Sequence, residues 1–311
     1  MSVYQLLWYF CIYSFLGWVL EVVFFALKKG RIVNRGFLNG PVCPVYGFGM
    51  VSVLLVSHFA MPRDISRANP LLLYLFGVIF ATLVELIAGW LLDHLFHARW
   101  WDYSREKFNF HGYICLKFSL LWGLAVTGAA RFLHAAASSG ISHIPPDIGW
   151  ILLLVFYALY GADLLITVLE IHGLSADLRS IDEVRRRMRA VSDGMSEAIG
   201  GNSLLARQQL EEQKLQTALA GAEIRDRVSS LKTAAESARL DAELAYADRK
   251  AELTASLDRR YEALRIRLRK SRAFGAGRLV RAFPGLRSHR YEEVLEEIKQ
   301  RMRESETDGR N

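Results

Sequence analysis

Cysteine, membrane-half charge and catalytic motifs are the scarce commodities of this chain. Only Cys11, Cys43 and Cys115 occur in 311 residues; their odd number and their place in or beside apolar segments argue against a disulfide framework. The first half carries almost no charge along its apolar runs, which sets it among membrane segments, while the second half is rich in Arg, Glu, Gln and Ala. A Gly-x-x-x-x-Gly-Lys-[Ser/Thr] loop is missing, so any ATPase has to be a separate chain. No Ser/His/Asp order and no closely spaced Cys or His pair stands out, and Cys43, His111 and Cys115 lack metal-ligand spacing. Neither an enzyme nor a cofactor or metal site is expected. The N-terminus also lacks a basic region ahead of its apolar run, which is long enough to span and is expected to stay as a signal anchor. The formal charge of +7 sits in loops and tail, so nucleic acid is not an expected partner.

What is present is apolar length. Five spans fit the hydropathy: Tyr4 to Leu27, Pro41 to Met61, Pro70 to Phe96, Gly112 to Ala135 and Ile148 to Ile171, each close to the ~20 residues a bilayer core needs. Lys28, Lys29, Arg31 and Arg35 crowd the first loop and Arg99, Arg105 and Lys107 the third. The second offers only Arg63 and Arg67, and the fourth, Ala136 to Asp147, has no Lys or Arg. The positive-inside rule then puts the N-terminus outside and the tail in the cytoplasm.

A pattern occurs twice. Gly17-Trp18-Val19-Leu20-Glu21 returns as Gly89-Trp90-Leu91-Leu92-Asp93, and each copy is followed by an Asn…Gly-aromatic-aliphatic step, Asn34-Arg35-Gly36-Phe37-Leu38 and Asn109-Phe110-His111-Gly112-Tyr113-Ile114. The expected fold is therefore an all-α polytopic membrane helical bundle, two parallel repeated hairpins plus one span, with a long cytoplasmic helical or coiled-coil tail. Glu21 lies ~9 Å from the inner end of its span, Lys117 enters to a comparable depth and Glu85 is near mid-span. Facing lipid would cost such charges roughly 2.5 to 3.5 kcal/mol each on insertion scales, so they should face one another or a wet cavity. Helical spacing groups Ser14, Gly17 and Glu21; Thr82, Glu85, Gly89 and Asp93; Asp163, Thr167 and Glu170; and Cys115, Ser119 and Trp122 beside Lys117. A structural Glu21 to Lys117 ion pair and a substrate or proton site are both open readings. Glu170, at the boundary, reads as solvated.

Gly and Pro at the density of Gly36 to Gly49 cannot sustain a helix, so the chain should unwind as it enters the second span. Arg35, Asp102 and Asn109 share a membrane face with Glu21. The candidate substrate-binding set is Glu21, Asn34, Arg35, Glu85, Asp102, Asn109 and Lys117, with Arg35 suited to an anionic group.

Tyr13-Ser14-Phe15-Leu16-Gly17-Trp18 with Glu21, Asn34 to Pro41 with Cys43-Pro44-Val45-Tyr46-Gly47, and Trp101-Asp102-Tyr103-Ser104 with Phe108-Asn109 and Leu120-Leu121-Trp122-Gly123 form a specific set of strings. In these residues the chain resembles the CmpB-like family of ABC-transporter type IV permeases. The resemblance covers about Met1 to Gly173 and implies a permease-like membrane transport component, with no substrate named.

Beyond Gly173 the expected parts are a juxtamembrane basic linker over 174–203, a helical coiled-coil-like segment over 204–272 and a basic aromatic segment with a short final helix over 273–311. Arg185, Arg186, Arg187 and Arg189 suit anionic membrane lipid; Gly200-Gly201-Asn202 reads as a break. The stripe from Leu210 through Leu219 to Leu268 steps by three, four and five, which is helical without being a clean heptad. The tail could fold back beneath the membrane loops as a cap or serve assembly. Three functions stay open: a transport component, with a separate ATPase subunit as partner; a membrane scaffold whose tail recruits other membrane proteins or copies of itself; and, last, a lipid or small-ligand enzyme.

Overall fold

The computed structural model describes residues 1–60, 68–217 and 222–308, so Arg63 and Arg67 of the second loop and Leu219 of the tail stripe lie outside the described residues. The chain divides into two compact units, Met1–Ser175 with Ile266–Asn311, and Ala176–Arg265. Helix α1 (Val3–Lys29) opens on a capping box, in which Ser2 and Gln5 satisfy each other's backbone N–H groups, and closes on Lys28 and Lys29, whose charges suit a helix C-terminus. Helix α2 (Pro44–Ala60) is apolar but has 17 residues, the lower limit of ~17 for a bilayer core. Helix α3 (Pro70–Phe96) is capped by Asn69 with Pro70 in its first turn. Helix α4 (Leu116–Ser142) and the 72-residue helix α5 (Pro146–Thr217) follow.

By length and composition α1, α3, α4 and the first part of α5 can each cross a membrane. The bulk of the chain is an α-helical membrane bundle. Trp8, Tyr9 and Tyr13 of α1 pack with Val53 and Leu54 of α2, Leu73 and Ala81 of α3, Val126 and Ala130 of α4 and Leu153 of α5. Two of the helices include a π-turn, Gly77–Ala81 in α3 and Ala129–Leu133 in α4.

Residues 30–43 form no helix, as the Gly and Pro content dictates, and Cys43 N–H donates to the Ser14 carbonyl at 2.9 Å. The third loop is more ordered than a simple connection. Strands β2 (Asn109–Phe110) and β3 (Ile114–Cys115) make a small hairpin, with Phe108, His111 and Gly112 at positive φ. This hairpin consumes residues expected in the fourth span, so α4 begins at Leu116 rather than Gly112.

The chain returns to the same end of the bundle after residue 266. Helix α7 (Ala276–Ala282) is followed by strand β4 (Arg287–Ser288), which pairs antiparallel with β1 (Ala98–Arg99), and by helix α8 (Glu292–Asp308). Leu279, Val280, Leu286, Val294, Leu295 and Ile298 of this return are buried, and Lys299 donates to the carbonyls of Pro284 and Leu286. The fold-back read from the sequence is present.

The second unit consists of the rest of α5 and most of α6 (Ala222–Lys270). The helix α5 runs through Gly200, Gly201 and Asn202 without the expected break; each Gly costs ~1 kcal/mol in a helix, which weakens one without ending it. Leu178, Ile181, Val184, Tyr261 and Leu264 are its buried apolar residues. Spaced pairs such as Arg179 with Glu183 and Arg186 with Asp182 line its solvent face.

A Cβ added at Gly17 would collide with the Tyr46 ring, whereas one at Gly161 would meet nothing within 4 Å. Gly17→Ala should therefore lower the melting temperature, at a cost of about 1–3 kcal/mol for overpacking. Gly161→Ala should leave it level or slightly raised. Thermal scans of both variants in one detergent check this; equal melting temperatures would refute the close approach at Gly17.

Candidate functional site

The acids read from the sequence gather at the end of the bundle that carries residues 30–43 and 97–115. Glu21 accepts a hydrogen bond from the Tyr46 hydroxyl at 2.8 Å and meets Arg35 at 3.5 Å. Glycine at position 17, one turn before the acid, leaves room for the Tyr46 ring. Asp93 repeats the arrangement: it accepts from the Tyr113 hydroxyl at 2.6 Å, meets Arg99 at 3.2 Å, and Gly89, one turn earlier, faces the Tyr113 ring. In both loops an Asn accepts from a following glycine N–H, Gly36 on Asn34 at 2.9 Å and Gly112 on Asn109 at 3.2 Å.

Glu85 is buried, with Tyr103 donating at 3.1 Å and Trp122 at 2.9 Å. The Trp122 ring meets the Tyr46 ring edge-on, centroids 4.8 Å apart. A continuous string of polar side chains thus leads from Arg35 through Glu21, Tyr46 and Trp122 to Glu85 and Tyr103. Outside the membrane-spanning segment, burial and then the neighbouring Glu85 charge push the Tyr103 phenol upward. Thr82, expected on the Glu85 stripe, has a buried hydroxyl without a hydrogen-bond partner.

Arg35 does more than face Glu21. Its guanidinium lies 5.0 Å from the Phe25 ring centroid and 5.1 Å from that of Phe283, and it donates to the Ala282 carbonyl. Such stacking is worth ~0.5–2 kcal/mol, more where water is excluded. Asn34 also accepts from the Trp18 indole at 2.7 Å and donates to the Asn39 carbonyl at 2.6 Å.

Lys117 does not join Glu21. Its ammonium meets Glu106 at 3.4 Å and is 61% exposed. The late start of α4 puts it in the first turn, and two residues along a helix turn it away from the face of Cys115, Ser119 and Trp122. Asn109 braces its own loop, donating to the carbonyls of Ser104 and Glu106. Asp102 meets Arg99 at 3.8 Å and Arg287 at 3.1 Å and accepts from Ser104 N–H. Glu170, read as solvated, meets Arg267 at 3.4 Å.

Asn39, Asp163 and Arg278 form a centre that the candidate set omits. Asp163 accepts from Asn39 N–H and Nδ2 at 3.0 Å each and from Gly40 N–H at 2.7 Å. Thr167 accepts from the same Nδ2 at 3.1 Å. The Arg278 guanidinium, buried to 1% exposure, donates to Asn39 Oδ1 and to the carbonyls of Asn34, Gly36 and Phe37. Burial pulls it down to about 10, with the Asp163 charge opposing. His289 Nε2–H donates to Asp93 Oδ1 at 2.7 Å. The Asp163 stripe was legible from spacing; Arg278 and His289 carried no local sign, because their partners lie more than 190 positions away. Among the described residues no group of three His, Cys, Asp or Glu side chains is placed to hold a metal ion.

A family model described as "Putative ABC-transporter type IV" matches residues 8–168. The chain belongs to this family. Neither curated proteins nor solved structures gave a match. As an ABC-transporter-type membrane component it has its Glu21, Glu85 and Asp93 centres, the whole 30–43 loop and Asp163 inside the matched stretch. Arg278, Arg287 and His289 come from beyond it.

The Asp102 carboxyl is held below its ordinary value of 3.8: partial burial pushes it up, but the Ser104 hydrogen bonds and the Arg99 and Arg287 charges outweigh that. A depressed folded value means stability that is present above 3.8 and lost as pH falls through the lower folded value. Asp102→Asn should lower the melting temperature at neutral pH, and its deficit against the unaltered chain should close as pH falls from 3.8 through the lower folded value. A deficit that stays constant across an acid titration would remove the charge pairing as its cause.

Proposed function

We propose that this chain is the membrane subunit of a permease-like transporter, and that the string from Arg35 through Glu21 and Tyr46 to Glu85 lines its substrate path. The observation that carries the reading is that continuity: a loop arginine and a mid-helix carboxylate are joined by hydrogen-bonding and ring contacts, in a family of transporter type. Intramembrane ionisable groups in contact with one another mark substrate, ion or proton routes in membrane proteins. The proposed topology has five crossings, with α2 as the short one, the N-terminus outside and the tail in the cytoplasm. The loops 30–43 and 97–115 then share the basic, inner side. Energy would come from a separate ATPase subunit.

The two Gly-x-x-x-acid centres support a duplicated hairpin, since the glycine, the tyrosine and the loop arginine recur around Glu21 and Asp93. In this arrangement Asn34, Arg35, Glu21 and Glu85 belong to the path, Asp102 and Asn109 shape its inner rim, and Lys117 meets lipid head groups at the edge. Anionic lipid also suits Lys28, Lys29 and the Arg185 to Arg189 cluster.

A second reading is a scaffold or small-ligand-binding membrane protein. What favours it is the compact unit Ala176–Arg265, which lies outside the family match. Its coiled segment would bind other membrane proteins or a second copy.

Proteoliposomes loaded with a cytosolic small-molecule extract separate these readings when vesicle contents are followed by mass spectrometry, with and without ATP and co-purified proteins. Wild-type vesicles should deplete at least one solute that Glu85→Ala vesicles retain, with both proteins folded. Identical contents, together with loss of co-purifying proteins on deletion of 176–265, would favour the scaffold.

A further inference from the structure

The loop Asn34–Gly40 takes part of its order from the bundle and from itself. Trp18 and Gly36 donate to the Asn34 side chain, Asn34 donates to the Asn39 carbonyl, and Asp163 receives the N–H groups of Asn39 and Gly40. These bonds come from α1, α5 and the loop itself. They leave one set of oxygens turned to a common point: the Gly36 carbonyl at 2.6 Å from Arg278 Nη1, that of Phe37 at 2.9 Å from Nη2, Asn39 Oδ1 at 3.2 Å from Nε and the Asn34 carbonyl at 3.4 Å from Nη1. Every one is an acceptor. They engage all three nitrogens of one planar group, a pattern that a rigid five-donor fork satisfies and a spherical ammonium does not. Asp163 stands behind Asn39 and supplies negative charge.

The tail presents its arginine on a purpose-shaped turn. Gly275 has φ of 89°, and its N–H joins Arg278 Nε on Asn39 Oδ1. The Ser271 hydroxyl accepts from Gly277 N–H, and the Ser271 carbonyl from Arg278 N–H. A Cβ at position 277 would lie against the Leu268 carbonyl. The receptor lies inside the family-matched stretch and the occupant outside it.

We infer that the Asn34–Asn39 oxygen cage is a binding site for a guanidinium group, filled in this state by the chain's own Arg278, which acts as an intramolecular ligand holding the C-terminal segment against the bundle. The site would take a guanidinium-bearing molecule, whether a free small cation or an arginine side chain of another protein, once the tail is lifted. This inference does not depend on transport.

Chemical rescue in the full chain tests it. Arg278→Ala in lipid nanodiscs should melt several degrees below wild type. Guanidinium chloride at about 10 mM should restore at least half of that loss, as a ligand binding only the folded state does. Sodium and tetramethylammonium chloride at equal ionic strength should not. Arg278→Ala with Asn39→Leu should show no rescue. Methylguanidinium and an arginine-containing peptide then distinguish the sources: rescue by the small cation alone points to a metabolite-sized ligand, rescue by both to a protein side chain. Absence of guanidinium-specific rescue, or rescue that survives Asn39→Leu, overturns the inference. If Arg278→Ala does not fold, hydrogen exchange of residues 34–40 is read in Arg278→Lys. There guanidinium should slow exchange more than sodium does, and equal exchange overturns the inference.

Discussion

Asn39 uses every hydrogen-bonding group it owns, and the loop end of the bundle is arranged around it. Its N–H and Nδ2 go to Asp163, Nδ2 also to Thr167, its carbonyl accepts from Asn34, and its Oδ1 accepts from Gly275 and Arg278. One amide thereby ties a membrane helix, a glycine-rich loop and the returning tail together. The constraint behind it is general. Irregular backbone at the edge of a bilayer has no lipid partner, so loop 30–43 needs protein donors and acceptors at close quarters. Asp163 supplies acceptors from the helix side and Arg278 supplies donors from the tail side. A fully satisfied network of this kind specifies one arrangement, because any half-made version leaves buried polar groups unpaired.

The acids obey the same rule by a different device. Glu21 and Asp93 each receive a tyrosine hydroxyl across a glycine one turn earlier on the same helix, and each has an arginine alongside. Glu85 is held instead by neutral donors, Tyr103 and Trp122. The first two are therefore near-neutral assemblies. Glu85 is the site where a charge has the least compensation, and it is also the deepest of the three in its helix. Rearrangement of Tyr46 would alter both Glu21 and Glu85 at once, since its hydroxyl serves one and its ring meets the indole that serves the other.

Much of this was legible in the sequence, for identifiable reasons. Apolar length gave the membrane helices, the Gly and Pro content gave the broken entry to α2, and helical spacing put Glu85, Gly89 and Asp93 on one buried face. The tyrosine partners were harder. Aligning the two copies by their Asn…Gly steps sets Phe37 against Tyr113, yet the residue that does for Glu21 what Tyr113 does for Asp93 is Tyr46, because loop 30–43 is tied down by Asp163 and Arg278 before the chain reaches α2. Lys117 misled for a related reason: a three-residue reversal at His111 to Tyr113 shortened the helix by a turn and sent the ammonium outward. Hydropathy has no term for such a hairpin. Arg278 was invisible as a binding residue because composition reads a tail arginine as a solvated charge, and only a long-range fold can bury it.

The boundary of the family match divides the centre in an informative way. Residues 8–168 contain the loop oxygens, Asn39, Asp163 and Thr167, while Arg278, His289 and Arg287 lie outside. The acceptors belong to the shared membrane domain and the donors to the segment that follows it. A buried guanidinium is costly unless its hydrogen bonds are complete, and Arg278 meets that condition only against a cage already shaped by Trp18, Asn34 and Asp163. The returning segment is thus held by Arg278 on the loop oxygens, and the carboxylates Asp93 and Asp102 add to its hold through His289 and Arg287.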